Sequence, residues 1–191
     1  TSAYLARQVL AKKTPAIITT LHGTDITLVG REPGYRPITR FSIMQSDFVT
    51  TPSKFLRQAT YEKLDIPETT KIEVIPNFVD TDKFCPVRQE ARGRIIGSLG
   101  GCRGERILVH ISNFRKVKRV EDVVRVFDLV SRERPSRLIM VGDGPERHPC
   151  EELVRELGLE SKVAFVGKQE SIAEILQSAC LFVFPSENES F

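Results

Sequence analysis

Seven short apolar runs, separated by helical or turn-rich stretches, constrain this chain more than any other feature. They are AIITT (Ala16 to Thr20), DFVTT (Asp47 to Thr51), KIEVI (Lys71 to Ile75), RILVHIS (Arg106 to Ser112), RLIMVG (Arg137 to Gly142), KVAFVG (Lys162 to Gly167) and CLFVF (Cys180 to Phe184). Rich in Val, Ile and Phe and mostly without polar alternation, they fit strands buried on both faces, the environment of a parallel sheet. Helical patterns fill the gaps. Val120, Val123, Val124, Phe127 and Val130 form one stripe, with Glu121 and Asp122 in the first turn and Arg132 and Arg134 beyond it, so the charges oppose the helix dipole at both ends. Pro52 and Ser53 open a second helix ending near Leu64, Pro149 opens a third that stops at Gly158, and Ile172, Ile175 and Leu176 mark a fourth. This β-α-β-α rhythm predicts an α/β fold with right-handed crossovers.

One segment interrupts the rhythm. Pro86 to Gly104 carries five glycines and four arginines, with Ile95 and Ile96 its only strongly apolar pair. It reads as a flexible connection between two α/β units, residues 1–85 and 105–191. Three strands fall before it and four after it, fewer than the about five or six of a doubly wound sheet. The first residue is Thr1 rather than Met, so the expectation is a piece of something longer.

Composition enters by exclusion. No run approaches the roughly 18 apolar residues that a helical membrane span requires. A net charge of +3 is too small and dispersed for a polyanion-coating protein, so any anion site must be local. Cys85, Cys102, Cys150 and Cys180 form no CxxC pair and have no histidine at ligand spacing, which argues against a zinc site or a disulfide framework. Cys180, opening CLFVF, reads as a core residue. With no secretory leader pattern, a reducing, cytoplasmic setting is expected.

In parallel α/β sheets, ligands bind at the carboxyl ends of the strands. After the first run comes LHGTD, Leu21 to Asp25. Gly23 permits a sharp turn, and His22 either reaches a sugar hydroxyl or phosphate from the crevice or only caps the turn. After the fourth run, SNFRKVKR (Ser112 to Arg119) precedes a helix start, where Arg115, Lys118 and backbone N–H groups suit a diphosphate. RKVKR also fits a nuclear-localisation or nucleic-acid patch, or a solvated surface, but neither needs a place between a buried strand and a helix. Only 7% of residues are aromatic and none interleave the basic run, so a base-stacking platform is poorly supplied. In VGDGP, Gly142 and Gly144 allow close backbone approach to a ligand, yet no dinucleotide or Walker fingerprint is present. Gly167 and Lys168 follow the sixth run; Glu187 and Glu189 follow the seventh, placed to accept hydrogen bonds from ligand hydroxyls. Asn188-Glu189-Ser190 matches a glycosylation triplet and reads as accidental.

HGTD, SDFVTTPS, IPNFVD, HISNFRKVKR, VGDGP, FVGKQ and PSENESF occur in this order along nearly the whole chain, and in that order the sequence resembles the retaining GT-B glycosyltransferases of family 4. The resemblance implies parts of two Rossmann-like domains, a sugar-nucleotide donor and no metal. Within the family the likeness is greatest to bacterial members that move GlcNAc from UDP-GlcNAc to the small dicarboxylate L-malate in bacillithiol biosynthesis. Carried over, Lys118 binds the donor diphosphate and Glu189, the first glutamate of the family's E-x7-E motif, contacts the donor sugar. Gly167 and Lys168 receive the uracil, and His22 is the cleft histidine. Most members carry an arginine five residues before the lysine; here Asn113 stands there, among the donor-binding positions with Gly142, and Arg115 takes the arginine's task. Gly23, Thr24 and Asp25 fall to the acceptor, and a dianionic acceptor calls for cations among Arg31, Arg36, Arg40 and Lys54. The second glutamate would fall eight residues after Glu189, past Phe191, so the chain alone is expected to be inactive. The other readings are a family 4 enzyme with a different donor or acceptor, and a non-catalytic nucleotide-binding module.

Overall fold

A computed structural model describes residues 2–10, 14–27, 30, 32–87, 97, 104–187 and 189. The chain divides into two units, 1–78 with 189–191, and 79–188.

In the first unit, three strands, β1 (Ile18–Thr20), β2 (Phe48–Thr51) and β3 (Ile72–Val74), pair in parallel in the order β1-β2-β3. Four helices accompany them: α1 (Ser2–Leu10), α2 (Thr24–Thr27), α3 (Arg36–Met44) and α4 (Lys54–Leu64). The core gathers Leu21, Ile26, Ile43, Val49, Leu56, Leu64 and Ile72. Helix α4 begins where Ser53 Oγ accepts the N–H of Leu56 at 3.2 Å, and ends at Asp65, which takes the left-handed conformation. Three helices, α1, α2 and α3, are absent from the expected pattern. α1 buries no residue and is tied down by Arg7, which donates to Asp47 Oδ2 at 2.7 Å and to the Gln45 carbonyl at 3.1 Å. The same oxygen accepts the N–H of Ile17 at 2.7 Å, and that bond, with Arg7 beside it, holds the Asp47 carboxyl below its usual range.

The second unit contains β4 (Arg106–Ile111), β5 (Ser136–Val141), β6 (Val163–Gly167) and β7 (Leu181–Phe182), all parallel, in the order β6-β5-β4-β7. Helices α5 (Val120–Glu133), α6 (Arg147–Glu156) and α7 (Ile172–Ser178) follow successive strands. Alternate residues of β4 and β5 enter two different clusters: Leu108, Leu138 and Met140 pack with Val120, Val123 and Phe127 of α5, and Ile107, Val109 and Ile139 pack with Ile175 of α7. Burial on both faces explains why these strands read as unbroken apolar runs. β7 is different. Among the described strands it pairs only with β4, Cys180, Leu181 and Phe182 are exposed, and Cys180 is not buried as its neighbours implied.

The units meet at Phe78 and Val79, seven residues before the expected boundary at Cys85. Residues 79–87 belong with the second unit because they lie against α7, where Gln177 Nε2 donates to the Cys85 carbonyl at 3.1 Å. Of the expected linker, Pro86, Val87, Gly97 and Gly104 are described; the remainder lies outside the described residues. No helix among the described residues is long and apolar enough to cross a membrane.

Candidate functional site

The first cluster lies past the carboxyl end of β1. The N–H of Leu21 still donates to the Thr50 carbonyl at 2.9 Å, and the chain then turns at Gly23, whose φ of +109° favours glycine. The Gly23 carbonyl accepts the Ile26 N–H at 3.0 Å, opening α2, and Asp25 Oδ2 accepts the backbone N–H of His22 at 3.1 Å. His22, Gly23, Thr24 and Asp25 therefore come together, with the Asp25 carboxylate capping the turn. The side chains of His22 and Thr24 are exposed. Of the cations considered for an acceptor, Arg36 pairs with the Asp65 carboxylate and Arg40 Nε donates to the Asp65 carbonyl at 3.2 Å. Both are committed to the end of α4. Lys54 opens α4 just past the carboxyl end of β2, and Arg31 lies outside the described residues.

In the second unit the loops following the four strands are stitched together by backbone hydrogen bonds. Ser112 N donates to Val141 O at 3.1 Å, Gly142 N to Gly167 O at 2.8 Å, Glu146 N to Phe114 O at 2.9 Å and Glu187 N to Val117 O at 3.0 Å. This network brings Asn113, Arg115, Lys118, Gly142, Gly167 and Lys168 to one edge of one sheet. Asn113, Arg115 and Lys168 are exposed. Lys118 is half-buried, with Nζ 5.1 Å from the centroid of the Phe184 ring. Lys116–Lys118 forms a 3₁₀ turn, Arg119 takes a left-handed conformation, and α5 starts with no side-chain cap on its first N–H groups. Arg119 pairs with Asp122 at 2.5 Å, so it belongs to the helix rather than to a ligand. Glu189, which belongs with the first unit, is half-buried.

The glycines of VGDGP serve the protein's own backbone. A Cβ at Gly142 would stand 1.8 Å from the Ser112 carbonyl oxygen, and one at Gly144 would stand 2.2 Å from that of Asn113. The loop after β4 therefore makes a close approach of its own at both glycines. Gly167, at φ +67°, has open space where a Cβ would be.

Three residues escaped the sequence reading. His110 is fully buried inside β4, Ser112 bonds to it, and Ser186 Oγ is shielded from solvent with no hydrogen-bond partner. His110 had a signal: one polar ring inside the run RILVHIS, where packing alone asks for a hydrophobe. Among the described residues, no three His, Cys, Asp or Glu side chains gather as a metal site would require.

Two parallel α/β sheets with loops converging at strand ends define a class, and the chain belongs to the glycosyltransferases. The profile of "Glycosyl transferases group 1" matches residues 95–191, and that of "Glycosyltransferase Family 4" matches residues 1–83. Among individual relatives, the N-acetyl-alpha-D-glucosaminyl L-malate synthase of Bacillus anthracis is 41% identical over 99% of this chain and 48% of its own length. The putative glycosyltransferase EpsF of Bacillus subtilis is 30% identical over 62% of this chain and 31% of its own length. This chain therefore spans about half the length of the first relative and less of the second. The solved structure of Anabaena HepE in complex with UDP and glucose superimposes with a TM-score of 0.83 at 16% identity, covering 99% of this chain and 50% of that one. WaaG, a glycosyltransferase of lipopolysaccharide biosynthesis, gives 0.76 at 14% identity, covering 99% and 58%. The fold is that of the GT-B glycosyltransferases.

Proposed function

We propose that this chain carries the donor site of a retaining glycosyltransferase that moves GlcNAc from UDP-GlcNAc to L-malate in bacillithiol biosynthesis. The observation that carries the reading is the joining of the four strand-end loops around Lys118, with 41% identity to an L-malate synthase as its specific support. In this reading Arg115 and Lys118 face the diphosphate of the donor, Asn113, Gly142, Gly167 and Lys168 line its nucleotide, and Glu189 meets its sugar. His22, with Gly23, Thr24 and Asp25, receives the acceptor. The bond from the anomeric carbon to the diphosphate oxygen breaks while a bond to the malate hydroxyl oxygen forms on the same face. The departing diphosphate takes the hydroxyl proton, so no carboxylate nucleophile is required. Negative charge grows on the leaving group, and preorganised cations stabilise it best. Arg115 and Lys118 supply that countercharge in place of a metal ion. The exposed thiols of Cys85 and Cys180 suit a reducing, cytoplasmic compartment.

The test is malate-dependent UDP release by the intact protein supplied with UDP-GlcNAc, before and after chelation of divalent ions. Turnover that survives chelation and requires malate supports the reading. Release that ignores malate, or prefers another sugar nucleotide, reassigns the substrates within the family. Lys118→Ala is expected to lower kcat/KM by roughly 10²-fold, the loss typical of removing one preorganised charge-stabilising donor. Near-native turnover in that variant removes Lys118 from the site.

A further inference from the structure

His110 has both ring nitrogens engaged although no part of it reaches solvent: Nδ1 lies 2.8 Å from the Val183 carbonyl oxygen and Nε2 lies 2.8 Å from Ser112 Oγ. A carbonyl only accepts, so Nδ1 carries the proton and donates. Burial, aided by the nearby Lys118 cation, lowers the pKa of the ring against the Val183 bond that raises it, so the imidazole is neutral. Nε2 then accepts the Ser112 hydroxyl proton, while Ser112 Oγ accepts the N–H of Phe114 at 3.3 Å. One ring thus joins the end of β7 to the turn that launches the loop after β4. Phe114 and Phe184 stand on either of these loops with centroids 5.9 Å from the imidazole, and the loops meet again where Glu187 N donates to Val117 O.

We infer that His110 is a positioning residue that latches the 112–118 loop to the 183–187 loop, so that Lys118 and the loop after β7 are presented to the donor as one rigid platform. The inference rests on the donor-site reading above. A strand position that served packing alone would be filled by a hydrophobe of similar volume at no loss; a latch loses both loops together when either hydrogen bond goes.

The experiment uses the intact protein with His110→Phe, His110→Asn and His110→Gln, and with Val109→Ala as a comparator, because Val109 is equally buried but belongs to the cluster on the opposite face of β4. Backbone hydrogen exchange is followed in peptides covering 112–119 and 183–187, together with UDP affinity and the KM and kcat for UDP-GlcNAc. His110→Phe should accelerate exchange in both loops, weaken UDP binding and raise KM by about 5- to 30-fold, the scale of one or two lost hydrogen bonds, with kcat changed less. Asn, whose amide keeps a donor near Nδ1, and Gln, whose amide reaches the Nε2 position, should each restore part of the loss. Val109→Ala should lower stability while leaving loop exchange and KM within about twofold. Unchanged exchange in either loop, or the same pattern from Val109→Ala, overturns the latch. If the wild-type protein binds no UDP, the donor reading falls, and the exchange data still decide the latch.

Discussion

Replacing Gly142 by alanine measures how tightly the loops after β4 and β5 are seated on one another. At φ +121° an L side chain is disfavoured before any neighbour is considered, and its Cβ would stand 1.8 Å from the Ser112 carbonyl oxygen and 3.0 Å from the carbonyl carbon. Restoring an ordinary contact of 3.4 Å from 1.8 Å requires a withdrawal of about 1.6 Å. Two hydrogen bonds oppose that movement, Ser112 N to Val141 O at 3.1 Å and Gly142 N to Gly167 O at 2.8 Å. Losing both costs about 1–3 kcal/mol and the backbone conformation another ~1–3, so a destabilisation of about 2–6 kcal/mol is expected. Gly158→Ala supplies the control: its φ is +66° and nothing lies within 4 Å of its Cβ, so only the left-handed conformation is charged, about 1–2 kcal/mol. Urea unfolding of the two variants, read at equal slope, gives the difference. Because the displaced segment leads directly to Arg115 and Lys118, the intact protein with Gly142→Ala should also lose roughly 10²-fold in kcat/KM, the consequence of misplacing a site by about 1 Å. A Gly142→Ala protein within about 1 kcal/mol of Gly158→Ala would refute the reasoning, since it would mean that the two loops yield freely.

The lowered pKa of His110 fixes the sign of a pH effect. Below about 6.5 the unfolded chain binds a proton that the native ring refuses, so His110 withdraws stability as pH falls from near 7 toward its native value. Urea midpoints at about pH 7.5, 6.5 and 5.5 should decline in that order, and His110→Asn should flatten the slope; an unaltered slope assigns the effect elsewhere. Thiol labelling should separate the cysteines. Burial pushes the Cys150 thiol up to about 12, so iodoacetamide at mildly alkaline pH should modify exposed Cys85 and Cys180 first and Cys150 only on unfolding, as peptide mass mapping would reveal.

All seven strands fall on the apolar runs; β4 and β5 do so because both of their faces are covered, and four helices were legible because each buries apolar residues along one face. α1, α2 and α3 were not: α1 buries nothing and is held by the ion pair of Arg7 with Asp47, α2 is a single turn, and α3 buries only Ile43. What local pattern leaves out has one origin. An apolar run reports what covers its two faces and says nothing of which strands lie beside it. CLFVF resembles the central strands, yet Leu181 and Phe182 are exposed among the described residues. Gly142 reads as room for a ligand's backbone approach, and the adjacency of β4 and β5 adds a second demand, the Ser112 carbonyl set beside it. The same gap explains His110. Its chemistry depends on Val183, 73 residues away along the chain, and on the lateral neighbour relation of β4 and β7. Cations at a strand end can be assigned from local pattern because the parallel-sheet rule places them. What holds those cations in place is set by strand order, and strand order is a long-range quantity that no local window contains.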